Sequence, residues 1–198
     1  MNDPYRRGIR LEYFTIIYNA LEAVASILFG GIAGSIALIG FGLDSVVESL
    51  SGGILLWRLR KHETLTEEEE GRIEKKAVKF VALTFFILGA YVLFESAKKL
   101  ILQEAPEPSL PGIVIAVLSI IVMPLLAHRK IRAAAEIRSK ALIADAKETL
   151  ACALLSVALL LGLGLNYVVG LWWADPVVGL VIVFFLFREG WEGWTGED

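Results

Sequence analysis

The sequence predicts an all-α membrane protein with six helices crossing the bilayer in one bundle, and three observations carry that prediction. Of its 198 residues 56% are hydrophobic, and the mean hydropathy is +0.64; soluble domains hold about half apolar residues or fewer. Six apolar runs follow one another, at Glu12–Ile32, Ser35–Trp57, Val78–Ala97, Pro111–Ala127, Ala141–Leu165 and Trp172–Phe187. About 20 apolar residues span a hydrocarbon core about 30 Å thick. Finally, if the N-terminus is cytoplasmic, 16 of the 19 Lys and Arg residues face the cytoplasm, the bias that orients membrane helices. Both termini are therefore expected inside. The runs hold well over half of the chain, so residues 1–198 read as a single domain with no soluble C-terminal domain after the last span.

The first run follows Arg6, Arg7 and Arg10 and contains Glu12, Asn19 and Glu22. It is too long and too polar for a signal peptide and has no small-residue cleavage site after a short core. The second run holds GFGLDSVVESLSGG, in which Asp44 and Glu48 stand four residues apart among apolar neighbours. The segment KHETLTEEEEGRIEKKAVK follows, and Thr66 with Glu69 has the spacing of a capping box that starts a third helix. Glu67–Glu70 then complement its N-terminal dipole, and the acidic run reads as a solvated helix start.

The third run contains Glu95 and ends at QEAPEPSLPG, a proline-stiffened turn. After the fourth run, HRKIRAAAEIRSK is basic and alanine-rich and extends the fourth or fifth helix into the headgroup region, within reach of anionic lipid. His128 there and His62 are the two histidines, so no histidine-rich metal loop exists. The fifth run, ALIADAKETLACALLS, places Asp145, Glu148 and Cys152 along one helix. The sixth opens at WWADP, where Asp175 is expected to be a helix-start cap rather than a ligand and Pro176 sits in the first turn. Trp172, Trp173, Trp191 and Trp194 mark its two interfaces. With one cysteine, no intramolecular disulfide can form.

Acids at membrane depth carry function by default. Asp44 and Glu48 lie thirteen and nine residues from Trp57, roughly 20 and 13 Å into the membrane at the helical rise. Glu148 and Cys152, seven and eleven residues from Ala141, lie roughly 10 and 16 Å deep. Both pairs have i,i+4 spacing and so share a helix face. Ser45, Ser49 and Ser51 with Gly52 and Gly53 make the second helix small and polar there. Gathered carboxylates cannot all remain ionised without a cation. A divalent ion resolves the repulsion, and protons resolve it when the ion leaves. Oxygen donors with one thiolate suit Zn²⁺, Mn²⁺, Fe²⁺ or Co²⁺. Asp145, one turn nearer the cytoplasm, extends the site or lines its entrance; Glu22, Asn19 and Ser45 are candidates for the pathway or for the layer behind the ligands. For Glu22, Asn19 and Glu95, plain hydrogen bonding between helices stays equally open, and Cys152 alone could be a small packing residue.

At these residues the chain resembles the membrane domain of the cation diffusion facilitators, six-span antiporters of divalent metals and protons. GSIALIGFGLDSVVE, Gly34 to Glu48, is similar to the family's second-span motif, and ALIADAKETLACALLS to its fifth. The Asp-Pro opening of the sixth run matches as well. GFGLDSVVESLSGGILLWRL and LIADAKETL are similar to a compact branch that includes small vesicular zinc-transporter-like transmembrane proteins. The resemblance implies metal ligands at Asp44, Glu48, Glu148 and Cys152, with Glu and Cys replacing the usual fifth-span His/Asp or Asp/Asp pair. It also implies a homodimer, a Zn²⁺ substrate favoured over other divalent ions, and protons as counter-ion, by alternating access. The expected location is an inner or plasma membrane if the source is prokaryotic. Lipid, the metal ion and a second copy are the expected partners, with no nucleic acid among them. A metal-binding scaffold or modulator that moves nothing, and a cation channel, are the alternatives. No nucleophile–base pair or nucleotide motif suggests an enzyme.

Overall fold

The computed structural model describes residues 3–61, 67–137 and 139–196. Six α-helices run in chain order: α1 Asp3–Ala33, α2 Ile36–Lys61, α3 Glu67–Leu102, α4 Leu110–Ile137, α5 Lys140–Val169 and α6 Ala174–Thr195. Among the described residues, α1, α2, α4 and α5 are long and apolar enough to cross a membrane. Several helices run beyond their apolar cores. The basic segment after the fourth run continues α4 as far as Ile137, because its alanines and arginines are good helix formers. Thr66 of the expected capping box and His62 lie outside the described residues, and His128 is exposed on α4.

The helices pack mainly as three pairs, α1 with α2, α4 with α5 and α3 with α6, and α2 touches α1, α3, α5 and α6. The core is aliphatic and dense, with Leu38, Phe41, Met123, Leu159, Ile182 and Leu186 fully buried. Between helices that share an apolar solvent, association depends on close packing through small residues. Gly42 is one such residue: a Cβ there would stand 2.9 Å from Cβ of Ser26 and 3.1 Å from the Ala23 carbonyl oxygen. The α1 backbone fits against α2 only because that side chain is missing.

Tight connections close one end of the bundle. Gly34, at φ +64°, turns α1 into α2, a left-handed conformation that glycine adopts without steric cost. Lys99 of α3 donates to its carbonyl. The Glu107 N–H donates to the Ala33 carbonyl at 2.8 Å, and Asn166 Nδ2 to the Pro106 carbonyl at 3.1 Å. Asp175 caps a helix start, but not that of the helix that carries it. The N-cap position of α6 is Trp173, which makes no side-chain cap. The buried Asp175 carboxylate instead accepts from the Ser35 hydroxyl and from Ile36 N–H at 2.9 Å. It caps α2 across the bundle, because the N-terminal ends of α2 and α6 lie side by side. At the opposite end, Arg60 of α2 lies over the Tyr13 ring of α1 at 5.0 Å, and Lys79 of α3 over Trp194 of α6 at 5.6 Å. Both helical termini, the start of α1 and the end of α6, are therefore at this end.

Gly42→Ala is expected to lower the unfolding free energy by about 1–3 kcal/mol, the usual cost of overpacking. Gly53→Ala, where a Cβ meets nothing within 4 Å, is expected to be neutral or stabilising by up to about 1 kcal/mol. Thermal unfolding of the two variants in the same detergent checks the contrast.

Candidate metal centre

α2 carries Asp44 and Glu48 on one face, and α5 carries Glu148 and Cys152 on the face opposite. The structure brings all four to the lining of one small cavity of about 20 Å³. That volume holds about one water-sized guest. Phe85 of α3 with Leu155 and Phe185 supplies apolar walls, and Glu189 of α6 adds a fifth polar group. Glu48 and Cys152 are buried, while Asp44 and Glu148 are partly open. Glu189, within two turns of the end of α6, places the cavity toward the end that holds both termini. Among the described residues, no three His, Cys, Asp or Glu side chains already converge as a ligand set. The groups surround the cavity without closing on its centre.

Two hydroxyls orient the carboxylates. Ser51 donates to Glu148 Oε2 at 3.1 Å, and Thr149 to Glu48 Oε1 at 2.9 Å. The second bond belongs to a larger network. Lys130 of α4 is fully buried, as are Glu12 of α1 and Thr149, and Asp145 is nearly so. The Lys130 ammonium pairs with Asp145, stands 3.3 Å from Glu12 Oε1, and donates to Thr149 Oγ1 at 3.3 Å. An ammonium only donates, so the Thr149 hydroxyl accepts from Lys130. Its single hydrogen then goes to Glu48 or to the Asp145 carbonyl at 3.1 Å. The carboxylate is the stronger acceptor. One polar chain thus runs from α1 through α4 and α5 to Glu48 on α2.

The remaining candidates fall elsewhere. Asp145 is not among the residues lining the cavity; its carboxylate is turned to Lys130, which needs a counter-ion where water is excluded. Ser45 and Glu22 also lie off the cavity and bond to each other at 2.9 Å, with Tyr18 and Ser119 beside Glu22. Asn19 is fully buried, and its side-chain atoms have no hydrogen-bond partner among the described residues. Glu95, partly exposed, lies 3.5 Å from Lys98.

Sequence reasoning missed Glu12, Lys130, Thr149 and Glu189 as parts of these clusters. Lys130 was expected among the headgroup charges, yet it keeps the phase of the buried face of α4, with Ser119, Met123, Ala127 and Ala134. On α1, Glu12, Thr15, Asn19, Glu22 and Ser26 recur at intervals of three and four and are all buried. That polar stripe was the available signal. Glu189 has no such signal, since it follows Arg188 just past the apolar run.

Comparison with known proteins identifies the family. The cation efflux transmembrane domain matches residues 13–193. The chain is 24% identical over 182 residues to an uncharacterised transporter of Methanocaldococcus jannaschii, covering 90% of this chain and 64% of that protein. It is 23% identical over 186 residues to transmembrane protein 163 of Xenopus laevis, covering 93% of this chain and 65% of that one. The chain therefore spans slightly less than two thirds of the length of these relatives.

Removing the shared cation leaves two buried carboxylates unpaired. Lys130→Met is expected to cost about 3–5 kcal/mol of stability, read as a lower unfolding midpoint in detergent. Adding Glu12→Gln and Asp145→Asn to it is expected to restore most of that loss.

Proposed function

The chain belongs to the cation efflux transmembrane domain family, and we propose that it carries divalent transition-metal ions, Zn²⁺ foremost, out of the cytoplasm in exchange for protons. The observation that supports this most is the meeting of Asp44, Glu48, Glu148 and Cys152, from two helices, at one ion-sized cavity. Carboxylate oxygens with a single thiol suit a borderline ion such as Zn²⁺ and also admit Mn²⁺, Fe²⁺ or Co²⁺.

In this reading all six helices span the membrane as one domain, with both termini in the cytoplasm. The ion approaches from the terminus-bearing end past Glu189 and exchanges its water for Asp44 and Glu148, the two more open groups. Glu48, already held by Thr149, and Cys152 complete the set. The ligands close on the ion only on its arrival, which leaves it free to depart. Protons then neutralise the carboxylates that the ion has left. Release to the other side requires the far end to open, and with it the bonds of Asp175 to α2 and of Lys99 to Gly34. A homodimer is the assembly proposed for this cycle.

Reconstituted vesicles test the reading. Asp44→Asn and Glu48→Gln are each expected to reduce saturable Zn²⁺ flux at least about tenfold, a barrier about 1.4 kcal/mol higher, and to abolish the accompanying pH change. Cys152→Ser is expected to keep flux and shift preference from Zn²⁺ toward Mn²⁺. Linear, non-saturating flux without proton movement would favour a channel, and binding without flux a scaffold.

A further inference from the structure

We propose that the terminus-bearing ends of α1 and α4 form a binding site for the phosphate of an anionic phospholipid, a feature separate from the ion that the bundle carries. A second cavity, of about 380 Å³, lies there between Arg7 and Arg10 of α1 and Arg129 and Arg132 of α4. That is the size of a small-ligand pocket. Four guanidiniums face one carboxylate, Glu136, which lies 3.6 Å from Arg7. Arg10, Arg129 and Arg132 have no ion pair or hydrogen bond among the described residues. Like charges collected in this way repel one another and favour an anion that can answer several at once. A guanidinium presents paired donors that match phosphate oxygens.

Helical phase points to a lipid rather than a dissolved phosphate. On α1 the arginine face continues into the membrane as Phe14, Ile17 and Leu21, each more than half exposed. On α4 the face that ends at Arg129 and Arg132 is preceded by Leu118, Ile121 and Leu125, again each more than half exposed. Within each helix these residues recur at intervals of three and four, so they form one stripe. α1 and α4 pack directly together, with their arginines at the same level. Two adjacent apolar stripes thus lead into one basic cavity, the outline of acyl chains below a charged headgroup. Basic pockets between membrane helices at the cytoplasmic face bind anionic headgroups in this manner. The site straddles the two helices joined inside by Glu12 and Lys130, so an occupant would clamp that pair from outside.

The test uses the full chain in a zwitterionic detergent, titrated separately with short-chain phosphatidylglycerol, phosphatidylcholine and inorganic phosphate. Unfolding midpoint and native mass spectra are read for each. Phosphatidylglycerol is expected to raise the midpoint and remain as a bound adduct, while the other two do neither. Arg10→Gln/Arg129→Gln/Arg132→Gln is expected to weaken the effect at least about tenfold. A control with the same loss of charge elsewhere, Arg6→Gln/Lys98→Gln/Lys147→Gln, is expected to keep it. Glu136→Gln removes the one carboxylate and is expected to strengthen binding, a gain that misfolding cannot mimic. Equal loss in the triple variant and its control would overturn the site, as would no phosphatidylglycerol effect at all. An equal response to inorganic phosphate would overturn its assignment to lipid.

Discussion

A single ammonium group in a space closed to water is the constraint around which the bundle is organised. Lys130 can stay charged there only while Glu12 and Asp145 face it, since an unpaired charge in such surroundings costs several kcal/mol, about 3–5 when one partner is removed. Satisfying it sets α1, α4 and α5 in one register. Thr149 then passes the same constraint to Glu48 on α2, so the geometry of the candidate metal centre is tied to an ion pair that does not touch it.

α2 stands between two polar regions, and adjacent residues divide them. Ser45 faces α1 and bonds Glu22. Asp44, one residue earlier and about 100° around the helix, faces the cavity with Glu48. The missing side chain at Gly42 brings α1 close enough for the first contact, and the span of side chains from α5 and α6 supplies the second. A helix touching four neighbours has little freedom to rotate, which keeps the two sets apart.

The two ends of the bundle are built from different interactions. One is tied by hydrogen bonds between helices and the connections that join them, from Ser35 and Ile36 to Asp175, Lys99 to Gly34, and Asn166 to Pro106. The other is held by cations over aromatic rings and by exposed arginines around an open cavity. Ring contacts of this sort are worth about 0.5–1 kcal/mol at exposed sites, and they tolerate displacement better than buried hydrogen bonds. The asymmetry suits a bundle whose terminus-bearing end admits ligands while the other stays shut.

The class of the protein and much of its candidate site were legible in the chain, because the cost of exposing polar groups to lipid writes itself into residue order. Apolar runs marked all six helices, and the i,i+4 spacing of Asp44 with Glu48 and of Glu148 with Cys152 marked two faces. The resemblance in those same segments agreed with the family. Periodicity also held the buried stripe from Glu12 to Ser26 and the phase of Lys130, although a charge beside two arginines reads as a headgroup residue until its neighbours are known. Tertiary structure alone decided which faces meet: that Asp145 turns to Lys130, that Asp175 caps α2 instead of α6, and that Glu189 reaches the cavity. Spacing along one helix fixes directions relative to that helix only, and the rotation of each helix against the others depends on packing contacts between residues far apart in the chain.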